Sequence, residues 1–149
     1  LEGFAEMMNM QLAEIGAEET HFVTPHGLHD EDHYTTAYDL YLIFNECVKQ
    51  DKFLEIVSSS EYKTKVTQAN GTYRDVTWKQ SNQYVNGLRK SPEGISVIGG
   101  KTGTTNEAGA CLILYSKKSD MPYISIVMGA DTRPILYDTM SSLLSTIKE

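Results

Sequence analysis

Three apolar segments in quick succession, at 95–101, 110–116 and 123–129, constrain the fold more than anything else in the chain. The stretches between them are too short to carry a crossover, so the three are expected to pair as antiparallel neighbours. The middle segment, Ala110-Cys111-Leu112-Ile113-Leu114-Tyr115-Ser116, is apolar at both alternating sets of positions. That is the pattern of a central strand covered on both faces. A helix follows, opened by Asp131-Thr132-Arg133-Pro134 with proline in its first turn. Leu136, Met140, Leu143, Leu144 and Ile147 then recur at three- and four-residue spacing, so this helix is predicted to lie on the sheet.

Upstream, the period is helical. Phe4, Met7, Met8, Leu12 and Ile15 line one face of an opening helix that ends near Gly16, a favourable C-cap residue. A loop over 17–34 holds Thr24-Pro25-His26-Gly27 and all four histidines. Thr36-x-x-Asp39 resembles a capping box, with Asp in place of Glu or Gln. Ala37, Leu40, Tyr41, Phe44, Cys47 and Val48 then share a face, which predicts a helix over 36–50 and a shorter piece over 52–57. Segments 66–69 and 72–78 flank Asn70-Gly71, a strong hairpin signal. Helices first, then an antiparallel sheet with a covering helix, define the α+β class.

Composition excludes several function classes. A chain of 149 residues is the size of one domain, and its net charge of −7 argues against a nucleic-acid partner. No run approaches the roughly 18 apolar residues that span a bilayer. Cys47 and Cys111 sit in apolar surroundings and read as buried free thiols, and no CxxC is present. His26, His29 and His33, with Asp30 and Asp32 between them, have spacings a metal could use. The same stretch also reads as turn chemistry around Pro25 and Gly27, which is preferred here, so no metal and no cofactor are assigned. Because helical spacing begins at once after Leu1, the chain reads as one cut inside or just before a helix. An absent leader then says nothing about export.

The sharpest chemical feature is Gly99-Gly100-Lys101-Thr102-Gly103-Thr104-Thr105. It falls at the end of a predicted strand and before a turn into the next one. A cation, hydroxyls and a residue without a side chain would there face one opening. Lys101 offers positive charge to an anion, Gly103 permits close backbone approach, and an exposed strand edge can pair with an extended peptide.

Lys-Thr-Gly is a signature shared by penicillin-binding proteins and class A β-lactamases. Further segments resemble the serine-type, low-molecular-mass D-alanyl-D-alanine carboxypeptidases. They are Glu6-Met7-Met8-Asn9, Thr20-His21-Phe22, Thr24-Pro25-His26-Gly27-Leu28, His33 to Leu40, Ala108-Gly109 and Val127-Met128-Gly129. The resemblance runs in order from Phe4 to the last helix. It implies a partial β-lactamase/transpeptidase-like fold: the antiparallel sheet, its covering C-terminal helix and a remnant of an all-helical subdomain. Residues 1–149 would be the C-terminal part of the catalytic domain. The implied reaction is hydrolysis of the terminal D-Ala-D-Ala bond of peptidoglycan stem peptides through an acyl-serine, with β-lactams as substrate mimics. It also implies an extracytoplasmic location.

Carried over residue by residue, Lys101 matches the family lysine and Thr102 the hydroxyl that contacts the substrate carboxylate. The backbone N–H of Thr104 matches an oxyanion donor, although many relatives carry His or Tyr there. Gly103 and Thr105 complete the substrate-binding strand, and Arg133 resembles an arginine that gathers carboxylates.

One departure matters. The nucleophile motif Ser-x-x-Lys and the Ser-x-Asn motif are not in their family places. The strings Ser60-Glu61-Tyr62-Lys63 and Ser145-Thr146-Ile147-Lys148 lie in the wrong parts of the chain. The chain alone is therefore expected to be inactive, and an uncovered strand edge and apolar face predict self-association. Two other readings compete. A β-lactamase shares Lys-Thr-Gly but not the Pro-His-Gly-Leu or Thr-Thr-Ala-Tyr-Asp-Leu segments. A non-catalytic peptidoglycan-binding module could keep the strand without any serine.

Overall fold

The structure, a computed structural model, describes residues 2–148. It opens with α1 (Glu2–Ile15), followed by a loop whose one ladder contact is the bridge between His21 and Tyr34. Next come α2 (Ala37–Cys47) and α3 (Asp51–Ser58). The Thr36 side chain accepts from the Asp39 backbone N–H at 3.1 Å, as the capping signal predicts. α2 stops three residues short of the sequence expectation, because Val48 caps it and its N–H turns back to the carbonyl of Phe44.

The hairpin is β1 (Glu61–Thr67) and β2 (Tyr73–Lys79), antiparallel, with Glu61 opposite Lys79 and Thr67 opposite Tyr73. Its first strand starts and ends earlier than the sequence suggests. The turn needs residues 68–72, with Gln68 and Thr72 bonded through the backbone and Asn70 Oδ1 accepting from the Thr72 N–H.

The main sheet is β3 (Ile95–Thr105), β4 (Gly109–Lys118) and β5 (Met121–Ala130), in that order and antiparallel throughout. β4 is the central strand, as its two-sided apolar pattern requires. α4 (Arg133–Ser145) then lies on one face, capped by Thr132. Leu112 and Leu114 meet Leu136, Tyr137, Met140 and Leu144 to make the core. One expectation for α4 fails: Leu143 is partly exposed, and Tyr137 takes its place inside, because the buried stripe follows 136, 137, 140 and 144.

The opposite face carries α3. A Cβ at Gly99 would come within 2.8 Å of Val57 Cγ2 and 2.9 Å of the Val57 carbonyl oxygen. Gly100 is as tightly held on the α4 face, where a Cβ would stand inside the Ile113 carbonyl oxygen and 2.8 Å from Leu114 Cδ2. The pair is therefore fixed by close approach on both sides of the strand.

Two segments of the family-like sequence are joints between α1, the loop and α2. Asn9 clamps the Phe22 backbone, donating to its carbonyl at 2.9 Å and accepting from its N–H at 2.8 Å. Asp39, almost fully buried, accepts from the Glu19 N–H at 2.8 Å and the Thr20 hydroxyl at 2.7 Å. Both cysteines are free, as expected, but they are half-buried rather than buried. Partial burial, then the neighbouring Glu46, pushes the Cys47 thiol above its ordinary value.

Candidate active site

β3 extends to Thr105, four residues beyond the sequence estimate, so Lys-Thr-Gly lies inside the strand and not at its end. Pairing with β4 continues through Lys101–Ile113, Thr102–Leu112, Gly103–Cys111 and Thr104–Ala110. Five consecutive predicted residues, Lys101 to Thr105, thus sit on an edge strand, since β3 has no partner beyond β4 among the described residues.

Side chains alternate across the sheet. Lys101 shares with Gly99 the face that carries α3, and its side chain is exposed. Its Nζ donates to the Thr102 carbonyl, which curls the lysine along its own strand. Thr102 is half-buried, and its hydroxyl lies 2.6 Å from the hydroxyl of Ser81. Gly103 is open: a Cβ there would meet nothing within 4 Å. Thr104 is exposed, whereas the Thr105 hydroxyl is committed to the turn, accepting from the Ala108 N–H at 2.9 Å.

Arg133 stands exposed at the first residue of α4. Ala130 pairs with Ala110, and Ala110 with Thr104, so α4 begins at the same end of the sheet as Thr104. By strand spacing the two lie about 10 Å apart across the sheet. Lys101 to Thr105 thus lie together on one strand, with Arg133 exposed at the same end of the sheet.

Ser81 was not singled out by sequence. It lies in a polar stretch with no periodicity, and only the fold delivers it to Thr102. The stretch is nevertheless well held. The Gln80 N–H donates to Ser60 at 2.9 Å, the Gln83 N–H donates to Tyr137 Oη at 2.9 Å, and Asn86 Nδ2 donates to the Gln80 carbonyl at 2.9 Å. Arg89 completes the attachment to α4 through Asp138 at 2.7 Å and Ser141 at 2.9 Å.

The two Ser-x-x-Lys strings do not make nucleophile–base pairs. Lys63 lies on extended β1, where side chains three apart point to opposite faces, and it pairs with Glu61 at 2.7 Å. Ser145 bonds the Ser141 carbonyl at the end of α4. The histidines serve the loop: His33 Nδ1 accepts from the Val23 N–H, and His26 Nδ1 from the Leu28 N–H, both at 3.2 Å. Among the described residues no group of three metal-type ligands converges.

A cavity of about 900 Å³ lies elsewhere. It is an apolar groove between α1 and α2, lined by Phe4, Met7, Met10, Phe22, Leu42 and Ile43 among others. Phe4 and Met7 are 58% and 62% exposed while Leu12 is buried, so the predicted stripe on α1 is only partly covered.

The family profile described as D-alanyl-D-alanine carboxypeptidase, peptidase S11, matches residues 1–132. Over 134 residues the chain is 34% identical to the D-alanyl-D-alanine carboxypeptidase DacF of Bacillus subtilis, covering 88% of this chain and 31% of that protein. Over 130 residues it is 35% identical to DacA of Haemophilus influenzae, covering 87% and 30%. A solved structure of a Streptomyces K15 DD-transpeptidase variant superposes with a TM-score of 0.85 at 26% identity, covering 97% of this chain and 54% of that one. The chain therefore spans less than a third of those two curated relatives and about half of the solved neighbour.

Proposed function

Since the chain belongs to the peptidase S11 family of D-alanyl-D-alanine carboxypeptidases, we propose that it is the C-terminal part of a domain that hydrolyses the terminal D-Ala-D-Ala bond of peptidoglycan stem peptides. A serine supplied from outside these residues attacks the scissile carbonyl, and the acyl-enzyme is then released by water. Lys101 supplies positive charge beside the reacting serine. Thr102 donates to the terminal carboxylate. The Thr104 N–H serves the developing oxyanion, where a preorganised donor counts most. Gly103 leaves the strand edge open for the substrate backbone, Thr105 holds the turn behind it, and Arg133 adds positive potential at that end of the sheet.

The observation that carries this reading is the exposed edge of β3, which presents Lys101, Thr102 and an unobstructed Gly103 in sequence. β-Lactams, as mimics of the same dipeptide, acylate the same serine, and the whole protein acts outside the cytoplasm on the wall. The chain alone, without that serine, is inactive. Fluorescent penicillin applied to this chain beside the product of the whole gene tests the reading. Label on the longer protein only is expected, and label on the short one overturns the claim of a missing nucleophile.

The chain alone also associates with a second copy. The α1–α2 groove and the outer edge of β5, unpaired among the described residues, are the surfaces that drive it. Light scattering should give a dimer mass at micromolar concentration, and a compact monomer refutes the idea.

A further inference from the structure

We propose that Ser81 is a positioning residue: it fixes the proton of the Thr102 hydroxyl so that it points at the substrate carboxylate. The inference rests on the reading of β3 as the carboxylate-binding wall. It begins from the 2.6 Å approach of the two hydroxyl oxygens, in which either could donate.

A hydroxyl has one proton and two lone pairs, whereas an ionised carboxylate only accepts. If Thr102 donates to Ser81, its proton is spent and its oxygen faces the carboxylate with lone pairs, which repels. If Ser81 donates to Thr102, the threonine proton is free for the substrate. An arriving carboxylate selects the second arrangement. The Ser81 donation then polarises the threonine O–H and strengthens its charge-assisted bond. Ser81 therefore acts through Thr102 and touches no reacting atom.

Such a relay needs Ser81 held in place, and its backbone is bonded on both sides. Its N–H donates to Gln80 Oε1 at 3.0 Å, and its carbonyl accepts from the Tyr137 hydroxyl at 3.4 Å. Tyr137 is itself buried in the core, with the Arg89 guanidinium 5.5 Å over its ring. The loop is thus anchored to α4, and Ser81 projects from an anchored backbone. Among the described residues no lysine, histidine or carboxylate bonds to its hydroxyl, so nothing there would make it a nucleophile.

The test uses the whole gene product, unchanged and as Ser81→Ala, Thr102→Ala, the double variant and Ser81→Thr. Acylation rates are measured with a penicillin bearing its free carboxylate and with its methyl ester, and thermal unfolding is recorded alongside. Ser81→Ala should slow the free acid about tenfold, the scale of one charge-assisted hydrogen bond. It should leave the ester and the melting temperature unchanged. The double variant should be no slower than Thr102→Ala, and Ser81→Thr should restore the rate. If Thr102→Ala is slow and Ser81→Ala is not, the relay is wrong while the carboxylate wall stands. If neither slows the free acid, the wall itself falls. Equal slowing of acid and ester, multiplying effects in the double variant, or an acyl adduct on Ser81 would each overturn the relay.

Discussion

The sheet with α4 and the α1–α2 layer are built to different degrees of completion. In the first, Leu114, Met140 and Leu144 are fully buried, and Leu112, Leu136 and Tyr137 nearly so. In the second, Ala5, Leu12 and Phe44 are buried, but Phe4, Met7 and Met10 look into an open groove. What joins the α1–α2 layer is largely polar: the Asn9 clamp and the Asp39 acceptor. Apolar burial stabilises by roughly 25 cal/mol per Å² removed from water. A single hydrogen bond nets only about 1 kcal/mol. The sheet half therefore carries most of the stability, while the helical layer keeps apolar surface available for something to cover it. The strand that carries the candidate site lies in the better-buried half.

The contrast breaks first at Gly100. Gly100→Ala should leave the chain unable to fold, because its Cβ would occupy the Ile113 carbonyl; far-UV circular dichroism should show loss of the native spectrum. Gly103→Ala, three residues along the same strand, meets open space and should stay within about 0.5 kcal/mol of the unchanged stability. Equal effects of the two would mean that the β3–β4 register is wrong.

Next comes Leu144→Ala, which should cost about 2–5 kcal/mol in urea unfolding. Its neighbour Leu143→Ala should cost under about 1 kcal/mol, since that side chain is 38% exposed. Reversed magnitudes would turn α4 over on the sheet.

Asp39→Ala should cost about 1.5–3 kcal/mol by stranding the Glu19 N–H and the Thr20 hydroxyl. Hydrogen exchange should quicken in α1 and α2 while α4 amides keep their protection. Uniform loss across the chain would show that the two regions unfold as one unit.

The smallest effect is expected from pH. Burial, partly offset by Asp30, holds the His33 imidazole below its ordinary value of 6.5. The unfolded chain then takes up this proton first. Stability is full above the ordinary value and declines as pH falls through the lowered one. Protonated His33 also cannot accept from Val23. The protection factor of the Val23 amide, corrected for the intrinsic slowing of exchange in acid, should fall on acidification, and His33→Gln should flatten that dependence.

The sheet, and the strand that carries the candidate site, are legible in the sequence for a local reason. The pattern at 110–116 and the short connections leave little choice of topology, and Lys101 to Thr105 are contiguous, so their placement follows from one strand. Ser81 was not legible, because no local pattern links it to Thr102. Its position depends on Tyr137 and Arg89, which lie on or reach toward a different element. The length of β3 was underestimated because Gly99, Gly100 and Gly103 weaken any strand signal, and only their packing against Val57, Ile113 and Leu114 explains the first two. On α4 the sequence pattern favours Leu143 where the structure buries Tyr137, because both are apolar enough to be inside and the sheet's contour decides between them.

The fit of Gly99 against Val57 has a mechanical meaning. With no side chain between them, the end of α3 and the strand are in direct contact, and Lys101 is two residues from it. A bulkier residue at position 57, such as Val57→Phe, would act as a wedge that tilts the strand and carries the ammonium group with it. The position of the strand that carries Lys101 thus depends on a helix outside the signature, and the charge could be shifted without altering a single residue of that signature.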